Sequence, residues 1–481
     1  MGNRGVRAAK AGLAYTIGNI LVKGITFLTL PIFTRMLTTE QFGVYNLYVS
    51  YETLLTIFTG MCIYGSLRTA KYDYATRFGE YTTNALTLSL VVLSALLILG
   101  NVTYPVYAAK LDFDRLLLNT LIIHSYAMFV FQFYNTKIAL EYDYKKFLII
   151  SAINSIGGTV LSIALIFFVS SEDRAYGRIY GYAIVPILIA SSLVYNYLQI
   201  AFRNKHRFID LSIWKYGLRI SLPLVVHTFS QQILHQFDRI MIDNMSGKSS
   251  VGIYGFVQTI ANILQIIVLS MDNAWSVWMY EQLSEKNYKE IYRKAKLYIL
   301  LMNVLYVGFI SLAPDIIRLL GTKDYFQGRV MIVPLAFAVY FVFLYSLPVH
   351  VEYFNKKTNY IAMGTSLAAV SNIILNYIFI KFYGYEAAAW TTLASYIVLF
   401  VFHLIIAKKI DSNKMFPLRT TVWSITVLGL FSLTIIFFVD KWLVRWVLMV
   451  SVIVAGYFIN KSRINEALSN FSYLRKLRGH K

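Results

Sequence analysis

Phe237-Asp238-Arg239-Ile240-Met241-Ile242, then Asp243-Asn244-Met245-Ser246-Gly247-Lys248, then Val251-Gly252-Ile253-Tyr254-Gly255 reads as the end of one apolar helix, a turn and the start of another. The first helix begins near Lys215 and carries Arg219, Pro223, His227, Gln231, His235 and Asp238 through otherwise apolar sequence. The second carries Gln258, Asn262, Gln265, Asp272 and Ser276 as far as Trp278. At 100° per residue His227, Gln231, His235 and Asp238 fall within an arc of about 80°, and so does the second set, so each helix has one wet stripe. In hydrocarbon such a stripe must face protein or water, which predicts an interior cavity lined by these helices.

Composition agrees with a chain made mostly for lipid. Of 481 residues, 57% are hydrophobic and 14% charged, against about 25% charged in soluble domains. Apolar segments of about 20 residues recur throughout, and stretches such as Leu86 to Gly100 are apolar on every face, which excludes the alternating pattern of a β-barrel. The expected fold is therefore an all-α polytopic membrane protein. The net charge of +21 sits between the apolar segments, so membrane orientation explains it without a nucleic-acid partner. The single cysteine, Cys62, forms no intrachain disulfide. Arg4, Arg7 and Lys10 precede an apolar run too long for a cleaved signal, so the first helix is read as retained.

About fourteen spans are expected, at roughly 12–34, 42–66, 84–107, 116–140, 146–170, 178–201, 216–238, 251–278, 295–320, 329–351, 359–382, 386–407, 419–439 and 442–460. The short loops leave no room for a soluble catalytic lobe. Lys and Arg concentrate in the N-terminus, the even-numbered loops and the C-terminal tail, which places both termini in the cytoplasm. Thr34-Arg35-Met36-Leu37 with Gly43-Val44-Tyr45 corresponds to Asp238-Arg239-Ile240-Met241 with Gly252-Ile253-Tyr254. Each copy joins the first two helices of a group of six, which predicts an N-lobe at 1–207, a C-lobe at 208–412, an extra helix pair at 413–462 and a basic tail at 463–481. The first two helices carry stripes of their own, Thr16, Asn19, Lys23, Thr26 and Thr34 on one and Tyr45, Tyr48, Glu52, Thr56 and Thr59 on the other. Helices one, two, seven and eight are thus expected to enclose the cavity. The last two spans carry almost no mid-span polarity and read as a lipid-facing pair.

Lys23 lies about a dozen residues into its span, where insertion costs about 2.5 to 3.5 kcal/mol, so it faces either the cavity or an ion-pair partner such as Glu52. Arg219 is either a cavity contact near the cytoplasmic entrance or an interfacial arginine reaching for headgroups. Asn19, Tyr45, Tyr48, His227, Gln231, Gln258 and Asn262 complete the candidate substrate-binding set, with tyrosine offering a sugar an apolar face and a hydroxyl. Glu52, Asp272 and Asp238 are the candidates for coupling transport to an ion gradient, although Asp238 serves equally well as a turn cap. The histidines are either titrating groups or hydrogen-bonding links between helices. There is no phosphate-cradling glycine loop, no metal-ligand spacing and no nucleophile elbow, so no catalytic residue, metal or cofactor is expected.

The opening Ala11-Gly-Leu-Ala-Tyr-Thr-Ile-Gly-Asn-Ile-Leu-Val-Lys-Gly-Ile-Thr-Phe-Leu-Thr-Leu-Pro-Ile-Phe-Thr-Arg35 with Glu40-Gln-Phe-Gly-Val-Tyr45, and Phe237 to Ile242 with Val251 to Tyr254, resemble the polysaccharide repeat-unit flippases of the Wzx type. These are O-antigen and capsule transporters of the multidrug/oligosaccharidyl-lipid/polysaccharide flippase superfamily. The resemblance implies a bacterial inner-membrane protein with two six-helix lobes around a cavity that opens alternately to either side. It implies an undecaprenyl-pyrophosphate-linked oligosaccharide as cargo, ion-coupled transport, and a polysaccharide polymerase and chain-length regulator as partners beside the membrane lipids. Lys23 and Arg219 would then offset the pyrophosphate charge. The alternatives are a multidrug exporter or a peptidoglycan-precursor flippase of the same superfamily and, in a different class, a membrane polymerase or acyltransferase.

Overall fold

The computed structural model describes residues 18, 24–111, 113–141, 143–413 and 415–478. Among them every regular element is helical. Residues 24–36 form α1. Then follow α2 (Thr39–Thr59), α3 (Leu67–Asp73), α4 (Phe78–Leu111), α5 (Arg115–Leu140) and α6 (Tyr144–Ala152), which runs through a π turn into α7 (Gly158–Phe168). Next are α8 (Arg174–Arg203), α9 (Leu211–Ser246), α10 (Lys248–Ser284) and α11 (Tyr288–Leu320). The chain ends with α12 (Ile332–Phe354), α13 (Thr358–Tyr383), α14 (Ala387–Ile410), α15 (Leu418–Phe437) and α16 (Trp442–Arg478).

Among the described residues, 11 helical segments are long and apolar enough to cross a bilayer, and each matches an expected span. The remaining expected spans are the first, second and seventh, now α1, α2 and α9. In α2 and α9 a polar stripe dilutes the apolar character, which is why length and apolarity alone do not select them, whereas most of the first span lies outside the described residues. Their ends are set locally. Thr38 and Gln41 form a reciprocal capping box at the start of α2, each side chain 3.2 Å from the other's backbone nitrogen. Asp114 caps α5 by accepting from the Leu117 amide at 2.6 Å, and Asp210 caps α9 by accepting from Ser212 at 2.9 Å.

The turn between α9 and α10 is shorter than its polar sequence predicts. Residues 239–246 continue the helix, and the chain reverses at Gly247, whose φ of +80° favours a residue without Cβ. Asp238 therefore lies inside α9 and does not cap the turn.

Contacts divide the chain into two compact units, one running through Gly255 and including Asn376–Tyr385, the other comprising Phe256–Leu375 and the chain from Glu386. The division falls within α10. α9 belongs to the first unit because it packs on α2, α4 and the turn after α2.

In the first unit the two copies of the repeat meet. A Cβ on Gly43 would lie 1.9 Å from the Lys248 carbonyl oxygen, and one on Gly252 would lie 1.9 Å from the Thr39 carbonyl oxygen. The first turns of α2 and α10 thus touch backbone to backbone, with the same two glycines placed reciprocally and the Thr39 and Ser249 hydroxyls 2.7 Å apart. Elsewhere α2 faces α5, where Ser125 donates to the Glu52 carbonyl at 3.2 Å and Thr59 donates to the Ser125 carbonyl at 3.4 Å.

The second unit is built around α12, the most enclosed of its helices. The helix pair α15 and α16 is not free of polar contacts, as its sequence led us to expect. Asn303 on α11 donates to Ser424 at 2.8 Å, Tyr306 and Ser432 lie 2.7 Å apart, and the fully buried Arg445 bonds Asp315 at 2.6 Å and the Ser311 carbonyl. The serines of α15 leave little trace in hydropathy and Arg445 stands near the start of its span, yet they tie both helices to α11.

Candidate functional site

A cavity of about 530 Å³ lies in the first unit between α2, α5, α8 and α9. α2 contributes Glu52, Thr53 and Thr56; α5 contributes Gln132, Asn135 and Thr136; α9 contributes Thr228 and Gln232; Tyr182 on α8 and Tyr64 and Cys62 after α2 close it. Glu52 is 4% exposed. Its carboxylate accepts from the Thr56 hydroxyl at 2.8 Å and lies 3.4 Å from that of Thr53. A buried carboxylate is costly unless hydrogen-bonded, and here the bonding comes from neutral hydroxyls on its own helix. Asn135 Oδ1 is buried without a hydrogen-bond partner. Among the described lining residues Glu52 is the one charged side chain, and the rest of the polar surface is amide and hydroxyl.

Helices one, two, seven and eight were expected to enclose a cavity, and two of them contribute to this lining. These are the second and seventh, with the fourth and sixth beside them, while most of the first lies outside the described residues. On α9 the cavity takes Thr228 and Gln232, one residue on from His227 and Gln231, about 100° around the helix. His227 is half-buried, with Nδ1 lacking a partner. Tyr48 is fully buried, 3.1 Å from His124 Nδ1 and stacked on its ring, so it presents no surface to a ligand. Tyr45 sits behind the lining, edge-on to Tyr182 at 5.7 Å between ring centres, with the Arg178 guanidinium 3.8 Å from its own. Arg219 is exposed on α9 and outside the lining. Gln258 and Asn262 belong to the second unit. Asn19 and Lys23 lie outside the described residues.

The other candidate carboxylates are each held by partners. Asp238, fully buried, accepts from Tyr254 at 2.7 Å and from Asn376 at 2.6 Å. Its neighbour Arg239 is also buried, donating to Gln236 at 2.9 Å. In the second unit Asp272 on α10 bonds His350 Nε2 at 2.9 Å, and His350 Nδ1 lies 3.1 Å from the Tyr280 hydroxyl. Two residues along α12, Glu352 bonds His403 on α14 at 2.7 Å, both side chains no more than 1% exposed. Sequence reasoning missed that pair because Glu352 lies one residue past the expected end of its span at 351. An acid that extends an apolar helix by half a turn, with a histidine in a neighbouring span, is the signal that would have found it.

Comparison with known proteins follows the same line. Residues 8–276 match the profile of a family described as "Polysaccharide biosynthesis protein", and residues 223–380 match the profile named MatE. In Haemophilus influenzae, "Lsg locus putative protein 1" is 21% identical over 67% of this chain and 80% of its own length. An "Uncharacterized membrane protein" of the same organism is 24% identical over 57% of this chain and 66% of its own. Among solved structures, the lipid II flippase MurJ in an inward closed conformation superposes with a TM-score of 0.68 at 17% identity, over 95% of this chain and 100% of that one. An inward-facing multidrug resistance MATE family transporter of the MOP superfamily superposes with a TM-score of 0.63 at 15% identity, over 84% and 99%. At such identities the shared property is the fold. The profile spanning 8–276 covers more than half of the 481 residues, and the chain therefore belongs to the polysaccharide biosynthesis protein family.

Proposed function

We propose that the protein is a flippase for undecaprenyl-pyrophosphate-linked oligosaccharide repeat units, working by ion-coupled alternating access in the bacterial cytoplasmic membrane with both termini inside. The observation that carries this reading is the cavity between α2, α5, α8 and α9, whose amides and hydroxyls suit a carbohydrate. Its volume of about 530 Å³ lies in the range of about 300–1,000 Å³ usual for sites that bury a small ligand. The repeated first turns of α2 and α10 support the two-lobe topology expected from the sequence, with six spans in each lobe. Among the described residues no cation lines the cavity, and Arg219 and Lys23 are the candidates to hold the pyrophosphate. Glu52, Asp272 and Asp238 remain the candidates for coupling.

A deletion strain tests the reading. Loss of surface polysaccharide, with lipid-linked repeat units accumulating on the cytoplasmic face, is the expected outcome; unchanged polysaccharide refutes it. One observation favours a second reading, export of a lipophilic cation: Glu52 lies in a cavity with Tyr64 and Tyr182 and with no basic residue among its described lining residues. Hypersensitivity of the deletion strain to cationic drugs, with normal polysaccharide, would establish that reading instead.

A further inference from the structure

We propose that Tyr280, His350 and Asp272 form a proton relay in the second unit, which makes the coupling ion a proton and Asp272 the carboxylate that receives it. The inference deepens the ion-coupled flippase reading and rests on it. His350 on α12 is 5% exposed, and both its ring nitrogens are engaged, Nε2 by Asp272 at 2.9 Å and Nδ1 by the Tyr280 hydroxyl at 3.1 Å. Its two partners belong to one helix. Tyr280 stands four residues from the end of α10, beyond the span expected from the sequence, whereas Asp272 stands eight residues earlier, about 12 Å deeper. The imidazole thus links a half-buried phenol at the helix end to an acid inside the bilayer, in the stripe that also carries Gln258, Asn262 and Gln265.

An ionised carboxylate only accepts, so Nε2 carries the hydrogen toward Asp272 and Nδ1 accepts from Tyr280. A proton arriving from water at the helix end replaces the phenol hydrogen of Tyr280 as that hydrogen passes to Nδ1, and the negatively charged pair becomes a neutral imidazolium–carboxylate pair. The added proton belongs to both partners, since Nε2 can in turn yield its hydrogen to Asp272. Among the described residues the other ionisable groups facing Asp272 are phenols, Tyr298 on α11, which donates to the Met271 carbonyl, and Tyr345 and Tyr353 on α12. The Asp272 side chain is 27% exposed, so the relay has an exit as well as an entrance. The Glu352–His403 pair has neither: both side chains are sealed, and Glu352 Oε2 and His403 Nε2 have no hydrogen-bond partner. Sodium suits the site poorly, because hard cations are held by oxygen ligands and the group on this carboxylate is a ring nitrogen.

Two readouts on the full chain test the relay. In lipid nanodiscs without cargo, an indicator-dye titration counts the protons bound between about pH 8 and pH 5, the interval in which imidazole charge ordinarily changes. His350→Gln is expected to take up about one proton fewer per chain than the unaltered protein, and an equal count overturns the inference. In liposomes carrying an undecaprenyl-pyrophosphate-linked disaccharide, one proton moved per lipid means that a gradient of about one pH unit shifts the steady-state ratio of cargo between the leaflets about tenfold, whereas a sodium gradient of about tenfold leaves it unchanged. His350→Gln and Asp272→Asn are each expected to bring the ratio to about one, and His403→Gln to leave it near tenfold. Tyr280→Phe is expected to slow the approach to the tenfold ratio at least about tenfold without changing the ratio itself. A ratio that follows sodium, one that survives His350→Gln, or an unslowed Tyr280→Phe overturns the relay and leaves the flippase reading standing. Cargo that the unaltered protein never transfers under any gradient removes the flippase reading and this inference with it.

Discussion

Replacing Gly252 by alanine would place a methyl carbon 1.9 Å from the Thr39 carbonyl oxygen and 3.0 Å from the Gly43 nitrogen. The obstacle is backbone, so no rotamer relieves it, and α10 must move away from α2 by about 1 Å or more to restore contact distance. Overpacking of this kind costs about 1–3 kcal/mol, and a backbone obstacle puts Gly252→Ala near the upper end, about 3 kcal/mol. Gly43→Ala meets the Lys248 carbonyl oxygen at the same 1.9 Å and should cost about as much. The double variant decides between a shared contact and two separate ones. Once the helices have separated for the first methyl, the second finds room already made, so the pair should lose about 3–4 kcal/mol and not about 6, a coupling of about 2–3 kcal/mol. Unfolding of purified protein in mixed micelles with a rising fraction of SDS measures all the variants in one cycle. Strict additivity, or a loss below about 0.5 kcal/mol for either single change, would refute the reciprocal crossing.

Other expectations follow from contacts already described. With Cys62 replaced by serine, Thr39→Cys with Ser249→Cys should form a disulfide, since the native hydroxyls lie 2.7 Å apart. If α2 and α10 must part during transport, oxidation stops flipping and reductant restores it; unimpaired flipping by the cross-linked protein refutes that requirement. Arg445→Met leaves Asp315 without its buried partner and should cost about 3 kcal/mol, read as earlier proteolysis of α15 and α16, whereas Arg445→Met with Asp315→Leu should recover most of the loss. Hydrogen bonds from Arg329 and Arg318 hold the Asp440 carboxyl below the usual carboxylate range. A depressed folded pKa stabilises at pH values above the unfolded value of about 3.9, and the contribution is lost as pH falls through the folded pKa. Asp440→Asn should therefore lower the melting temperature at pH 7 and converge on the parent in acid below pH 4; a constant difference across that window would contradict this.

Much of the architecture is legible because lipid imposes a single simple demand, about 20 apolar residues per crossing. The same demand made α2 and α9 conspicuous as exceptions. What a stripe does not reveal is which neighbour it faces. Tyr48 shares an arc with Glu52, yet it bonds His124 while Glu52 reaches the cavity. Asp243-Asn244-Met245-Ser246 resembles a turn by composition, but only Gly247 leaves the right-handed backbone, so the helix carries on past Asp238. Gln132 and Asn135 escaped notice because the reading sought its stripes on helices one, two, seven and eight, and neutral amides on α5 build as much of the cavity as Glu52 does.

His350 and Glu352 stand two positions apart on α12, about 200° around the helix, and so point to opposite sides of it. One is bonded to Asp272 on α10, the other to His403 on α14. A slide or roll of α12 against either neighbour would break an acid–imidazole link in a medium that offers no substitute. Those three rods therefore travel as a raft, and any rearrangement of the second unit has its slip plane outside them.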